Sequence, residues 1–136
     1  MSNVHIIGAG MTPLGKHLDK SVKQLTAAAV DAALADAGIA KDAVEAAWFC
    51  NTRQGALEGQ HGVRGQASLR AYGFEGIPIF NTDNACASSS SGLYQAFAAV
   101  KAGLHEVAIV VGAEKMNYPE KRKEMFEAFK GSWDRE

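Results

Sequence analysis

The 136-residue sequence has few of the features that mark secreted, membrane-bound or nucleic-acid-binding proteins. Its only two cysteines, Cys50 and Cys86, lie far apart, so neither a disulfide framework nor a CxxC metal site is expected. With 14 basic and 15 acidic residues, the net charge of -1 gives no electrostatic case for nucleic acid or a membrane surface as a partner. No apolar run is long enough to cross a bilayer, and the first residues do not resemble a secretory signal. We therefore expect a cytoplasmic protein that holds no metal or prosthetic group.

What the chain does contain is apolar residues, at 47% of the total, which predicts a folded domain with a core rather than disorder. Short apolar runs predict four strands, at residues 4–7, 46–50, 77–81 and 107–111. The third run contains Pro78, and because proline cannot donate a ladder hydrogen bond we expect this strand at or near a sheet edge. The fourth run is uniformly apolar, which favours cover on both faces.

Helical patterns fill the gaps between these strands. Ser21 and Gln24 have the spacing of a capping box, and Gly38 is typical of the residue that follows a helix, so a helix is predicted between them. Further helices are predicted near residues 63–72 and over residues 87–102. This βαβαβαβ alternation indicates an α/β fold with a mainly parallel sheet layered with helices. The composition then becomes charged, and residues 117–136, with Pro119 in a first helical turn, begin a second structural unit.

Cys86 is placed where the third strand gives way to a helix, in the stretch NACASSSSGL. A turn between a strand and a helix exposes its middle residue above the end of the sheet. The first amides of the helix favour a thiolate and can later face an oxyanion on an acyl carbonyl. The small side chains that follow Cys86 would let another backbone or an acyl chain approach closely. The local pattern alone leaves two interpretations of Cys86 open. It is either a nucleophile or a buried structural cysteine beside a serine-rich loop.

Three other features of the sequence carry less weight. GMTPLGKH, residues 10–17, nearly matches a phosphate-binding loop, but His17 stands where a hydroxyl is needed for magnesium, so we interpret the stretch as a turn. Gly8 and Gly10 match the first two glycines of a dinucleotide-binding fingerprint, but the third glycine of that pattern is missing. Surface or structural roles are favoured for all four histidines, and His61 is the one in a loop that could approach Cys86.

Four blocks of the sequence, in family order, resemble the thiolases within the thiolase-like superfamily. They are VHIIGAGMTPLGK, GQHGVRGQASLRAYG, NACASSSSGL and VAIVVGAEKMN, and they span nearly the whole chain. The last block departs from the family's G-x-E-x-M-S pattern, because Asn117 stands in place of the serine. The serine-rich block is closest to thiolases of the sterol-carrier-protein type. Ketoacyl synthases share the cysteine-led turn, but the G-A-E-K-M strand end fits thiolases better.

The resemblance implies a role for each part of the chain. Residues 1–116 would be the thiolase N-terminal α/β domain, which is incomplete without a C-terminal half, and residues 117–136 would begin a loop domain or a partner-contacting helix. Cys86 would be the catalytic nucleophile of an acyl-CoA C-acyltransferase. It would accept the acyl group of an acyl-CoA or 3-ketoacyl-CoA, with coenzyme A as the other substrate.

The resemblance also implies a partner. The motifs of the family's second half, which supply a general-base histidine, a second cysteine and an oxyanion site, do not occur in this sequence. We therefore expect the chain to be inactive or nearly so alone, and to need a C-terminal thiolase half or a complementary subunit in a homo- or hetero-oligomer. Some thiolases of this type also work beside a zinc-ribbon and OB-fold accessory protein, which the sequence leaves open.

Two other functions are compatible with the same residues. One is a non-catalytic assembly module that kept the fold and lost the reaction, and the other is a condensing enzyme of the ketoacyl-synthase type. The acyl substrate, the direction of the reaction and the residues that bind coenzyme A are not determined by the pattern.

Overall fold

A computed structural model describes residues 3–134 and 136, and this part of the chain contains three strands and five helices. The strands are β1 (Ala46–Cys50), β2 (Ile79–Thr82) and β3 (Ala108–Gly112). The helices are α1 (Val22–Ala37), α2 (Gln54–Glu58), α3 (Arg64–Tyr72), α4 (Ser88–Lys101) and α5 (Arg122–Phe129). Short 3-10 turns occupy Lys41–Ala43, Pro119–Lys121 and Lys130–Ser132.

The three strands form one parallel sheet in the order β2-β1-β3. The predicted α/β fold with a parallel sheet is confirmed, and β2 lies at an edge, as Pro78 predicted. All five residues of β1 are buried, since helices cover both faces of this central strand. Phe49 packs into a core that includes residues of α1 and α3, whereas Trp48 on the opposite face packs with Ala96 of α4.

The first helix follows its local sequence closely. The hydroxyl of Ser21 accepts a hydrogen bond from the backbone N–H of Gln24, whose side chain accepts one in return from the N–H of Ser21. At the other end Gly38 has φ of 66°, a conformation that glycine adopts without a steric penalty. The helix predicted between these two signals is confirmed at both ends.

The first predicted strand, at residues 4–7, is wrong. Residues 3–20 form neither helix nor strand, and Ile6 is 79% exposed. A run of apolar residues becomes a strand only where a neighbouring strand offers ladder hydrogen bonds. Instead, two glycines let this segment lie close against α1. A Cβ on Gly8 would fall 2.5 Å from the carbonyl oxygen of Ala33, and a Cβ on Gly10 would fall 2.4 Å from the backbone nitrogen of Ala33.

Between β1 and β2 the sequence predicts one helix, near residues 63–72, but the structure has two. α3 lies where it was predicted, whereas α2 was not predicted at all. The backbone N–H of Gln54, at the start of α2, donates to the side chain of Asn51 at the end of β1. α5 follows the turn at Pro119, as the proline predicted, and packs against α2. The division of the chain at residue 116 stays a prediction.

Tyr72 links α3 to α1 in a way that depends on pH. Burial and a hydrogen bond from its hydroxyl to the Asp31 carboxylate raise the pKa of Tyr72 to about 12. An unfolded tyrosine loses its proton near pH of about 10, so between about pH 10 and 12 the folded chain binds more protons than the unfolded chain. The free energy of unfolding should therefore fall as the pH rises through this window.

Tyr72→Phe should make that alkaline decline smaller, because phenylalanine has no proton to release. Urea unfolding followed by circular dichroism, from neutral to strongly alkaline pH, would measure the slope. Tyr94→Phe is the matched control, since Tyr94 is largely exposed and its replacement should leave the slope as it is. Equal slopes for the wild-type chain and Tyr72→Phe would count against the assignment.

Candidate functional site

Cys86 lies in the turn between β2 and α4, two residues before α4 begins at Ser88, and its side chain is exposed. The preceding residue, Ala85, has φ of 47°, a left-handed conformation that residues with a side chain rarely adopt. Such a conformation costs about 1–3 kcal/mol and persists only where the surroundings hold it. The structure therefore places the sulfur on a tight, exposed turn and not in the core.

Hydrogen bonds from the serines that follow Cys86 hold this turn. The hydroxyl of Ser88 accepts from the backbone N–H of Asn84 at 2.8 Å and donates to the carbonyl of Ala85 at 2.7 Å. The side-chain amide of Asn84 donates to the hydroxyl of Ser91 at 2.9 Å. Short hydroxyl side chains are needed here because they reach the backbone of their own turn, which explains part of the serine run.

An ion pair ties the turn to α3. Arg64 donates from Nη2 to the Oδ2 of Asp83 at 3.1 Å and from Nη1 to the Oδ1 of Asn51 at 3.2 Å. The other oxygen of Asp83 accepts from the backbone N–H of Ala85 at 3.3 Å. The arginine side chain is only 14% exposed, so its geometry is restricted by packing. Residues from the ends of β1 and β2 and from the start of α3 thus meet around the residue that precedes Cys86.

Glu114, in the motif that follows β3, holds the loop at the end of β1. Its carboxylate accepts from the backbone N–H groups of Thr52 at 2.8 Å and Arg53 at 3.0 Å, and from the side chain of Asn51 at 3.1 Å. Burial raises the pKa of Glu114, while the backbone hydrogen bonds from Thr52 and Arg53 and the charges of two arginines oppose the rise. The structure therefore gives this glutamate a positioning role in the loop that carries Asn51.

Small residues let α4 lie close against the sheet. The residues of α4 that are buried are Ser88, Gly92 and Ala96, one turn apart. A Cβ on Gly92 would fall 2.5 Å from the Sγ of Cys50, and one on Gly112 would fall 2.5 Å from the hydroxyl of Ser89. The small side chains after Cys86 thus let the backbone of α4 approach the sheet of this chain, one of the two close approaches that the sequence predicts.

The second cysteine has the opposite environment. Cys50 is buried, and this burial raises the pKa of its thiol, an effect that the nearby hydroxyl of Ser89 reduces. A thiol that is protonated and inaccessible is inert as a nucleophile. Of the two cysteines, only Cys86 is available to react with a molecule from solution.

The weaker sequence signals contribute nothing further to this site. The ring of His61 lies against Gly55 of α2, and no hydrogen bond in residues 3–134 joins it to Cys86. Residues 10–17 form an irregular turn, in which the ring of His17 donates to the carbonyl of Pro13. In the part of the chain that the structure describes, no cluster of three or more metal-ligating side chains occurs. None of the helices described there has both the length and the apolar character needed to span a membrane.

Comparison with protein families gives one match that covers most of the chain. The family model described as "Thiolase, N-terminal domain" matches residues 4–131. The matched region includes β1, β2 and β3, the turn that carries Cys86 and all of α5.

Curated relatives and a solved structure agree with that match. The chain is 36% identical over 115 residues to sterol carrier protein 2 from Gallus gallus, covering 83% of this chain and 20% of that protein. It is 34% identical over 116 residues to an acetyl-CoA acetyltransferase from Methanocaldococcus jannaschii, covering 85% of this chain and 29% of that protein. The crystal structure of 3-oxoacyl-[acyl-carrier-protein] synthase III from Aquifex aeolicus VF5 has a TM-score of 0.61 and 18% identity, over 72% of this chain and 31% of that one, a likeness of fold. The chain thus spans less than a third of the length of these proteins.

Proposed function

This chain belongs to the thiolase family, and we propose that it supplies the nucleophile of a thiolase, the Cys86 thiol, for acyl transfer involving coenzyme A. The observation that carries the proposal is the position of Cys86, exposed on a strained turn two residues before a helix that is packed closely onto the sheet. The acetyl-CoA acetyltransferase named above is by its name an acyl-transfer enzyme, which agrees with a sulfur that accepts an acyl group.

The first turn of α4 can stabilise a negative charge on the sulfur of Cys86 or on a substrate oxygen. The backbone N–H groups of Ser89 and Ser90 donate to no acceptor within the described part of the chain. Free N–H groups in the first turn of a helix attract negative charge. They can therefore stabilise a Cys86 thiolate and then an oxyanion that forms on the attacked carbonyl.

In the degradative direction the reaction proceeds in two steps. The Cys86 thiolate attacks the 3-keto carbonyl of a 3-ketoacyl-CoA, the bond between carbons 2 and 3 breaks, and the enolate of acetyl-CoA leaves and takes up a proton. The acyl group then moves from the sulfur of Cys86 to the thiol of coenzyme A, whose proton passes to a general base. Condensation is the same sequence in reverse.

The base for these proton transfers belongs, in this proposal, to a C-terminal thiolase half or a complementary subunit. Thiolate formation needs such a group within hydrogen-bond reach, and no hydrogen bond in the described residues brings a histidine to Cys86. The exposed apolar side chains on α4, which are Leu93, Tyr94 and Phe97, favour association with that partner. Because the chain lacks this base and exposes these apolar side chains, we propose that the active particle is a homo- or hetero-oligomer.

The decisive experiment uses the particle purified from its own cells through a tag on this chain. Its intact mass shows whether a second polypeptide is present. Incubation with acetoacetyl-CoA, followed by peptide mass spectrometry, should then find an acetyl group on Cys86 and none on Cys50. An adduct from an acyl-carrier-protein thioester alone would indicate a condensing enzyme of the ketoacyl-synthase type. No adduct, together with alkylation of Cys86 no faster than that of free cysteine, would indicate a non-catalytic module.

A further inference from the structure

Three side chains, those of Asn51, Arg64 and Asp83, link the turn that carries Cys86 to the buried end of β1, and we call them the arginine link. The side chain of Asp83, which accepts from the N–H of Ala85, is 46% exposed. The side chain of Arg64, which donates to the other oxygen of Asp83, is 14% exposed. Asn51, which accepts from Arg64, is 2% exposed. Each member of the link is thus held by a more deeply buried one.

Asn51 is a rigid anchor for this link, because its amide group uses all of its hydrogen-bonding capacity. Its Nδ2 donates to the carbonyl of Ala113 at 2.7 Å and to the carboxylate of Glu114 at 3.1 Å. Its Oδ1 accepts from the N–H of Gln54 and from Arg64, both at 3.2 Å. An amide side chain has two N–H groups and two lone pairs, so none is left over. The anchor is therefore fixed to the end of β3 and to the starts of α2 and α3.

The two peptide groups that flank Ala85 are held from different sides. Its carbonyl accepts from the hydroxyl and the N–H of Ser88, which belong to α4 itself. Its N–H donates to Asp83, which the arginine link connects to α3 and β1. The φ of Ala85 is 47°, and a change to the ordinary negative region would rotate the following chain by about 100°. The bond to Asp83 therefore bears directly on where Cys86 lies.

Stability alone does not account for this arrangement. An ion pair whose carboxylate is half exposed contributes little to the free energy of unfolding, because water screens it. Arg64 also does not bind Asp83 with both nitrogens, as the strongest pairs do, but uses one nitrogen for Asp83 and the other for Asn51. Its planar fork thus fixes the distance between a buried group and the turn.

We propose that Arg64 and Asp83 are positioning residues, which fix the sulfur of Cys86 relative to the first turn of α4 by holding Ala85 in its left-handed conformation. This inference rests on the proposed function, because it takes Cys86 as the nucleophile. A sulfur that moves away from the free N–H groups of that turn loses the stabilisation of its negative charge. Loss of the arginine link should therefore slow the reaction of the sulfur with any electrophile.

The first test measures how fast iodoacetamide alkylates Cys86 in the particle purified through a tag on this chain. Arg64→Lys keeps the charge but replaces the fork by a single nitrogen, and it should slow alkylation by at least about fivefold. Arg70→Lys, at an exposed position of the same helix, is the matched control and should react within about twofold of the wild type. Equal rates for Arg64→Lys and the wild type would overturn the proposal.

Asp83→Ala separates positioning from charge. The side chain of Asp83 is half exposed, so this variant is expected to fold. If Asp83 acted on Cys86 through its charge alone, removing the carboxylate would favour the thiolate and speed alkylation. The proposal predicts the opposite, a rate at least about fivefold lower, together with faster hydrogen exchange in the peptide that contains Ala85. Faster alkylation of Asp83→Ala would contradict it.

Ala85→Gly offers a rescue that a merely structural ion pair would not show. Glycine adopts the left-handed conformation without a steric penalty, so in this background Arg64→Lys should slow alkylation by less than about twofold. The same pattern is expected in kcat of the particle, with little change in KM for acetoacetyl-CoA. An equal loss in both backgrounds would overturn the proposal, because the link would then act by another route than Ala85.

The two proposals fail in different ways. The acyl-adduct experiment uses the wild-type chain and asks whether Cys86 accepts an acyl group, whereas the alkylation rates compare variants with a reagent that needs no acyl substrate. No adduct on the wild type, together with slowed alkylation of Arg64→Lys, would refute the proposed function and support the positioning of the thiol. An adduct on the wild type, with all variants alkylated at one rate, would support the function and refute the positioning.

Discussion

Cys86→Ala is expected to lower the rate of acyl transfer by the complete particle by at least about 10³-fold, because the proposed mechanism forms its covalent acyl intermediate on the sulfur of Cys86. The other thiol of the chain, that of Cys50, is buried and cannot take over this role. The side chain of Cys86 is exposed, so its truncation should change the free energy of unfolding by less than about 0.5 kcal/mol. Loss of activity would thus be separated from loss of structure.

The measurement is the consumption of acetoacetyl-CoA in the presence of coenzyme A, together with urea unfolding of the same preparation. Cys50→Ala is the matched control, because it removes the other thiol and should keep the turnover of the folded particle. If Cys86→Ala turned over at a rate within a few fold of the wild type, the assignment of the nucleophile would be wrong. Equal loss in both variants would point to a structural effect of removing a thiol.

The second large effect is expected for Gly92→Leu, which should destabilise the fold by about 3 kcal/mol or more. A Cβ at this position alone would lie 2.5 Å from the Sγ of Cys50 and 3.3 Å from Val110, so a leucine forces α4 away from the sheet. Because the stability of a domain is only about 5–15 kcal/mol, such a loss is a large fraction of the total. Gln95→Leu, on the exposed side of the same helix, should have little effect.

A double-mutant cycle identifies the contact responsible. Gly92→Ala adds only the Cβ and should cost about 1–3 kcal/mol through its collision with Cys50, partly offset by the better helix propensity of alanine. In a Cys50→Ala background the sulfur is absent, and the same substitution should cost much less. Chemical unfolding of the four proteins gives the coupling energy. Additive effects would show that the contact between α4 and Cys50 is not what makes a side chain at position 92 destabilising.

The sequence was most informative where structure depends on neighbours along the chain. The capping box at Ser21 and the glycine at position 38 predicted both ends of α1, because each acts through hydrogen bonds and dihedral angles within one turn. The apolar run at residues 46–50 predicted β1, and the proline at position 78 predicted an edge for β2. The stretch around Cys86 likewise predicted a strand, a turn and a helix in the order that the structure shows.

The parts that the sequence missed depend on distant residues. Nothing local to α2 indicates that Asn51 meets its first turn, or that Glu114, about sixty positions further along the chain, holds the loop before it. The ion pair of Arg64 with Asp83 is of the same kind, since α3 and the end of β2 come together only in the fold. Pattern alone could place Cys86 on a turn, but it could not identify the groups that hold Ala85 in its strained conformation.

Taken by itself, the sequence determined the α/β class, the family, α1, β1 and the cysteine at the head of α4, because helix capping, hydrophobic runs and turn residues act over a few positions. Tertiary structure alone decided that residues 4–7 form no strand here, that the serines bond to their own turn, and that Arg64 links Asp83 to the buried Asn51. The physical reason is that a strand takes its hydrogen bonds from a neighbouring strand, whereas a helix makes them within itself. A segment can therefore have a strand's sequence and still lack a strand's structure where no neighbouring strand pairs with it.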